Sequence, residues 1–343
     1  MATDPLLSWY DGARRDLPWR RTRDPWAIWV SEVMLQQTRV DTAVPFFDRF
    51  LARFPSPEAL AAAPLDAALA LWSGLGYYRR CRQLHAAAAL VAGAGIPRRA
   101  AELERLPGVG AYTAAAIASI AFGERVAVLD GNVVRVVSRL LAEPGDPARA
   151  AVRRRLLEAA TARLDPERPG DGNQALMELG ATLCSPRAPA CERCPLRPEC
   201  RAAAAGRAEQ FPTPRRRRPP VGLDELVAVV ERGGEYLLVR RGAEEKVMPG
   251  LWEFPTVAAE GDPAGELAAR FGGGWRLDPP LARLRHGITF RALRVAVVVA
   301  RWTGGDVVAE AGEAGWFSAE RAAALALTGV TRKTLARLAS VAG

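Results

Sequence analysis

Two kinds of side chain are almost missing from this 343-residue chain. Lysine occurs only as Lys246 and Lys333, and every other basic side chain is an arginine. Upstream of residue 246 nothing but an amino terminus could form a Schiff base. Histidine occurs only as His85 and His286, which argues against histidine-based triads and multi-histidine metal centres. Acid–base chemistry must then rest on carboxylates or tyrosines. No apolar run approaches the roughly 18 residues of a membrane span, so no membrane partner is expected. The opening Met1-Ala2-Thr3-Asp4-Pro5 lacks a basic stretch leading into an apolar one. The expectation is therefore a cytoplasmic protein with no secretion signal.

What is present is ordinary in bulk. Hydrophobic residues make up 49% and charged residues 25%, as in a folded globular protein. The length exceeds what one core usually needs, so two domains are expected. The net charge of +9 suits a polyanionic partner, nucleic acid before membrane, although solubility alone accounts for it equally well.

Residues 1–200 carry apolar side chains at helical spacing between Pro and Gly punctuation, as in 57–73, 79–94 and 149–164. Around residue 201 the composition turns Pro-rich and ends in the run Arg215-Arg216-Arg217-Arg218, a linker signature. Beyond residue 221 strands are expected. Residues 226–231 and 236–241 flank Gly233-Gly234 as a hairpin, and 294–302 form a β-branched run. Helical pieces are expected at 263–271, 318–325 and 331–339, so the second domain is α+β.

Three local patterns carry chemistry. Cys184, Cys191, Cys194 and Cys200 lie within 17 residues, a thiolate cage suited to a [4Fe–4S] cluster or to zinc, and the spacing leaves that choice open; disulfides are a third reading that no secretion signal supports. Cys81 stands apart, as a small buried side chain would. Leu103-x-x-Leu106-Pro107-Gly108-Val109-Gly110-x-x-Thr113-Ala114 reads as helix, glycine turn, helix. There Gly108 and Gly110 let backbone N–H groups face a phosphate. Glu32, among aromatic and aliphatic neighbours, suits a carboxyl with a raised pKa, or else a surface face. Asp130, between an apolar run and Gly131-Asn132, suits an N-cap or a carboxylate aimed into a cleft.

Several ordered motifs together closely resemble the adenine DNA glycosylase (MutY) family of base-excision repair. They are Leu17-Pro18-Trp19-Arg20, Ser31-Glu32-Val33-Met34-Leu35-Gln36-Gln37-Thr38, Gly74-Leu75-Gly76-Tyr77-Tyr78, the hairpin and Leu129-Asp130-Gly131-Asn132-Val133. The Asn173–Gly180 stretch, the four cysteines and Gly250-Leu251-Trp252-Glu253-Phe254-Pro255 complete the set. The resemblance spans nearly the whole chain. It implies an all-α helix-hairpin-helix glycosylase domain over 1–205 with a [4Fe–4S] motif at 184–200. A linker over 206–222 and a C-terminal α+β Nudix-like lesion-recognition domain over 223–343 would follow.

The activity it implies is removal of adenine mispaired with 8-oxoguanine or guanine in double-stranded DNA, by a monomer that flips the base out of the stack. In a bacterium it would work at the nucleoid. By the match, Glu32 protonates adenine and Asp130 stabilises the sugar cation, electrostatically or covalently. Tyr112 stands where bifunctional endonuclease III relatives carry their Schiff-base lysine, and with Asn132 it would orient the catalytic groups. Gln37 and Tyr77, with Tyr78 beside it, match the wedge into the duplex, one of the two tyrosines being expected to pack in the core instead, and Arg20 and Gln174 match positions near the adenine pocket. Thr289 and Phe290 stand in the loop that reads 8-oxoguanine, where the family usually has a Phe-Ser-His-like step. The alternative, a glycosylase/lyase acting on oxidised pyrimidines, is disfavoured by Tyr112 and the missing lysines. No acidic run suited to magnesium appears in the second domain, and Glu266 stands alone in its helix.

Overall fold

A computed structural model describes residues 4–213, 219–242, 244–245, 247–288, 290–303 and 313–342. In chain order the α-helices are α1 (Pro5–Ala13), α2 (Pro25–Leu35), α3 (Val40–Arg53), α4 (Pro57–Ala61), α5 (Leu65–Trp72), α6 (Arg79–Val91), α7 (Ala100–Leu103) and α8 (Ala111–Phe122). They continue as α9 (Gly131–Leu141), α10 (Ala150–Ala162), α11 (Pro169–Thr182), α12 (Arg201–Ala204), α13 (Pro263–Phe271), α14 (Ala319–Ala323) and α15 (Gly329–Ala342). The strands are β1 (Val221–Val229), β2 (Glu231–Arg232), β3 (Glu235–Arg240), β4 (Trp252–Glu253), β5 (Thr256–Ala258), β6 (Gly274–Ile288), β7 (Arg291–Thr303) and β8 (Ala314–Ser318). No helix among the described residues is long and apolar enough to cross a membrane.

The chain divides into two compact units. The first comprises Met1–Ala63 and Gln83–Arg216, and the second comprises Pro64–Arg82 and Arg217–Gly343. The helical stretch carrying α5 and the glycine turn after it thus belongs with the strands.

The first unit is all-helical among its described residues. Its centre is α2, whose start is set by Asp24: the carboxylate accepts from the Trp26 and Ala27 N–H groups, and Pro25 occupies the first turn. Every residue from Trp26 to Met34 is buried, so α2 is apolar on all sides and neighbours surround it. Trp26 packs edge-on against Trp29, and its indole donates to the Phe54 carbonyl at 2.9 Å. Alanines on α8 allow close packing against α2 and α11. Gly180 lets α11 approach α9 closely: a Cβ there would lie 2.6 Å from the Asn132 Cβ.

The second unit contains two sheets. One has the order β5-β1-β7-β6, with β1 and β7 parallel and the other pairs antiparallel. The other has the order β2-β3-β4, with β8 also on β3. The expected hairpin forms only at its tip, where Glu231 pairs with Tyr236 across Gly233 and Gly234. Both glycines have positive φ, 61° and 81°, as a tight hairpin turn requires. Upstream of the tip the chain leaves for the other sheet, so β1 pairs with β5 and β7 rather than with β3. Alternate residues of β1 feed two cores. Leu226 and Ala228 pack with Leu237, Leu267 and Phe271, while Val227 and Val229 pack with Leu238, Phe254 and Val295.

Candidate active site

The first unit encloses a cavity of about 250 Å3 whose lining includes Arg20, Glu32, Tyr112, Asp130, Asn132, Gln174, Met177 and Glu178. These side chains come from α2, α8, α9, α11 and the short turn Pro18–Arg20. Glu32 is 5% exposed. It faces inward because α2 has no solvent side on which a glutamate could sit. The Tyr112 hydroxyl donates to Glu32 Oε2 at 2.7 Å and lies 3.4 Å from Met177 Sδ. Burial pushes the Glu32 carboxyl up to about 7; the Tyr112 hydrogen bond and the Arg20 charge oppose this, and nearby Asp130 reinforces it. The Tyr112 phenol is driven well above its usual value by burial and by the Glu32 carboxylate.

Asp130 satisfies both of its sequence readings at once. It is the N-cap of α9, accepting from the Val133 N–H at 2.7 Å, and its other oxygen accepts from Asn132 Nδ2 at 3.0 Å. It also lines the cavity. Burial raises its pKa, against the Val133 and Asn132 hydrogen bonds and the Arg135 charge. Asn132 is held in turn by Arg135, whose guanidinium donates to Asn132 Oδ1 at 2.9 Å, Gly180 O at 2.7 Å and Cys184 O at 2.7 Å.

On the far wall, Glu178 is fully buried and accepts from Arg15 Nε at 2.7 Å and Arg20 Nη2 at 2.7 Å. Burial alone would raise this carboxyl, but the two arginines overcome it and hold it at about 2. Arg20 is thereby fixed beside the cavity, with its guanidinium over the Tyr10 ring. Gln174 accepts from the Tyr10 hydroxyl at 3.2 Å. Sequence reasoning placed Arg20 and Gln174 here but missed Arg15, Glu178 and Arg135. The signal for Glu178 was available: one carboxylate within the apolar run Ala175-Leu176-Met177-Glu178-Leu179.

The other expected contact residues separate by unit. In the first, Gln37 is exposed just after α2 and has a left-handed backbone, φ 58°. Gly108 needs its φ of 75°, and a Cβ there would also meet the Gln83 side chain at 2.6 Å. Gly110 is extended and precedes α8; nothing lies within 4 Å of the Cβ it lacks, so this backbone is open to approach. In the second unit Tyr77 is 41% exposed with φ 50°, whereas Tyr78 is 6% exposed. Phe290, 60% exposed, stands at the turn between β6 and β7. Thr289 lies outside the described residues.

The four cysteines follow α11, and all four line a second, small cavity with Arg139. No three cysteine, histidine or acidic side chains among the described residues are arranged to grip a single metal ion. A zinc ion with Zn–S bonds of about 2.3 Å would draw its thiolates close together. Four cysteines around one space give a donor set of the kind that holds a multi-iron cluster, in which each thiolate takes its own iron. Arg139 is 2% exposed and donates to Cys184 Sγ at 3.2 Å, Ser185 O at 2.7 Å, Pro186 O at 3.0 Å and Phe211 O at 3.0 Å. The buried guanidinium thus places a positive charge against one of the four sulfurs.

Residues 30–161 match the HhH-GPD superfamily of base excision DNA repair proteins, and residues 226–337 match the NUDIX domain. The chain is 40% identical over 315 residues to the adenine DNA glycosylase of Rattus norvegicus, covering 76% of this chain and 61% of that protein. It is 45% identical over 206 residues to that of Mycolicibacterium smegmatis, covering 59% and 69%. Against that of Buchnera aphidicola from Acyrthosiphon pisum it is 32% identical over 255 residues, covering 73% and 72%. The chain thus spans about three fifths of the mammalian relative's length. Among solved structures, a thermostable thymine-DNA glycosylase superposes with a TM-score of 0.54 at 31% identity, over 59% of this chain and 94% of that one. A trapped endonuclease III–DNA covalent intermediate superposes at 0.50 and 22% identity, over 60% of this chain and 99% of that one, and shows the shared fold.

Proposed function

Because the chain belongs to the adenine DNA glycosylase family of base-excision repair proteins, we propose that it hydrolyses the N-glycosidic bond of adenine mispaired with 8-oxoguanine or guanine in double-stranded DNA. The observation that carries this reading is one cavity holding two carboxyls in opposite roles. Glu32, with a pKa of about 7, holds a proton to give near neutral pH. Asp130, fastened by the Val133 N–H and the Asn132 amide, presents an anion to the sugar.

The steps follow from these positions. An adenine turned out of the duplex enters the cavity, whose volume of about 250 Å3 falls below the ~300–1,000 Å3 usual for drug-sized ligands. The Glu32 carboxyl protonates a ring nitrogen, making the base a neutral leaving group. The glycosidic bond breaks, its electron pair goes to the base, and the Asp130 carboxylate faces the oxocarbenium-like sugar. Water then adds to the anomeric carbon and its proton returns to solvent or to Glu32. Tyr112 aims Glu32, and Asn132 aims Asp130. Glu178 holds Arg20 in place beside the base. Backbone N–H groups at Gly108–Gly110 and the start of α8 hold phosphate, while Gln37 and Tyr77 offset lost stacking in the duplex.

Cys184, Cys191, Cys194 and Cys200 would hold a [4Fe–4S] cluster, with Arg139 balancing thiolate charge. When bound, that group supplies a folded loop and a charged surface beside the DNA. The lyase alternative gains nothing from the geometry, since the side chain beside Glu32 is a tyrosine.

Single-turnover excision on an A:8-oxoguanine duplex tests the proposal. Adenine release that leaves an alkali-labile but uncut strand is expected, and no release from either an A:8-oxoguanine or an A:G duplex would refute it.

A further inference from the structure

The second unit contains a continuous mechanical link that the chemistry above does not use. Its sequence-remote part, Pro64–Arg82, includes the turn that exposes Tyr77. Next to Tyr77, the buried Tyr78 donates its hydroxyl to the Leu327 carbonyl at 2.8 Å. The Ser73 hydroxyl lies 3.5 Å from the same carbonyl and also receives the Arg332 guanidinium from the first turn of α15. Lower on the same segment, Arg240 grips Asp66 with two hydrogen bonds of 2.8 and 2.9 Å, and Arg82 donates to the Pro249 carbonyl.

The other side of that first turn of α15 touches β6. Lys333 Nζ donates to the Arg285 carbonyl at 2.9 Å. Gly329 lies so near the His286 ring that an added Cβ would meet its Cε1 at 2.7 Å. β6 runs on to Ile288, and Phe290 follows in the turn to β7. Among the described residues, Tyr77 and Phe290 are the exposed large aromatics, and one helical turn packs against the bases of both turns that carry them. Tyr77 also holds a strained, left-handed backbone, which persists only where its surroundings over-determine it.

We infer that residues Leu327–Lys333 form a coupling strut, through which the β6–β7 turn and the Tyr77 turn act on DNA as one rigid body. Tyr78, Gly329 and Lys333 are positioning residues: they touch no DNA in this scheme and act through Tyr77 and Phe290. This rests on the function proposed above and adds a consequence. The identity of the base opposite adenine, sensed at one turn, sets how well the wedge at the other is seated. Rigid coupling of this kind needs one contiguous packed element that touches both turns, and the segment from Leu327 to Lys333 is that element.

The test uses the full-length protein and four forms: wild type, Tyr78→Phe, Gly329→Ala and the double variant, with Lys333→Met replacing Gly329→Ala should the latter not fold. Single-turnover excision is measured on A:8-oxoguanine and A:G duplexes, and the ratio of the two rates is the readout. The same ratio is taken from equilibrium affinities in a Glu32→Gln background, which requires no chemistry. Each single change should lower both ratios about three- to ten-fold, the size of one lost hydrogen bond. The double variant should do no worse than the more severe single one, because both break one link. The conservative Lys333→Arg, which keeps a cationic donor for the Arg285 carbonyl, should hold both ratios at their wild-type values. Unchanged ratios in the cooperatively folded link-breaking variants would overturn the inference, as would losses that multiply, or a wild type whose affinities show no preference. Absence of adenine release with an intact affinity effect would refute the proposed chemistry and leave the strut standing.

Discussion

Glu32 shows how one buried group binds function to stability. Its folded carboxyl titrates near 7 against an ordinary 4.5, so between these values the folded chain holds a proton that the unfolded chain has released. Stability therefore falls as pH rises through that window. Glutamine keeps the shape and still accepts from Tyr112, but it carries no ionisable proton. Glu32→Gln should abolish base release while leaving duplex binding nearly intact. It should also be more stable than wild type at pH 8, by on the order of 2–3 kcal/mol, with the gap closing near pH 4. Denaturant melts at the two pH values read this, and an equal gap at both would show that Glu32 is not held neutral. Wild-type excision should decline as pH rises through about 7. Glu178 has the opposite sign: held at about 2 by Arg15 and Arg20, it contributes stability above pH 4.5 that is lost as pH falls through 2. Glu178→Gln should accordingly narrow the acid side of the stability profile, which an acid titration followed by circular dichroism would detect. These two glutamates had the same apolar sequence setting. What separates them is the arrival of Arg15 and Arg20 from more than 150 residues away, and local composition holds no trace of that.

Elements were legible where their boundaries are chemical. N-cap carboxylates start α2, α9 and α13, with a proline behind the cap in α2 and α13, and the cysteine spacing marked a compact loop that the structure draws around one cavity. The helix expected over 57–73 is instead two, because Pro64 interrupts it. β6 escaped notice because Pro279-Pro280 and Gly287 interrupt its alternation, and its pairing with β7 is irregular there, between Leu277 and Ala282. The membership of Pro64–Arg82 in the second unit was invisible, since a helix reads the same whichever body it packs on. Arg139 was equally hidden. It sits on the amphipathic α9, where an arginine ordinarily reads as a solvated face, yet it closes the loop from Cys184 to Phe211. From this follows an element-scale prediction. Arg139→Gln removes the charge facing Cys184 and part of the clamp on Ser185 and Pro186. The purified variant should hold well under the about four irons expected per chain, and should bleach faster near 400 nm under a chelator. Iron content and bleaching rate equal to wild type would show that Arg139 only closes the loop.

At the scale of the whole molecule, the division into units changes what a truncation means. Cutting after Arg218 deletes the sheets, α13, α14 and α15, but leaves Pro64–Arg82 attached to the helical unit. The deletion therefore removes more than the β6–β7 turn. It also strips Tyr78 of its Leu327 acceptor, Ser73 of Arg332 and Asp66 of Arg240. Glu32, Tyr112, Asp130 and Asn132 all remain, with their hydrogen bonds inside the first unit. The truncated protein should thus retain adenine excision, with its decline as pH rises through about 7 unaltered, because the groups that set the Glu32 carboxyl are all present. Its preference for A:8-oxoguanine over A:G should nonetheless fall further than in Phe290→Ala, which loses one aromatic and keeps the strut. Losing the reading turn and the seat of Tyr77 together should cost about two to three hydrogen bonds' worth of discrimination, on the order of 2–4 kcal/mol. Single-turnover rate ratios for the full-length protein, Phe290→Ala and the truncation decide the matter. An unchanged ratio on truncation would show that the second unit does not read the lesion. A truncation no worse than Phe290→Ala would show that Tyr77 needs no support from the strands on which its segment rests.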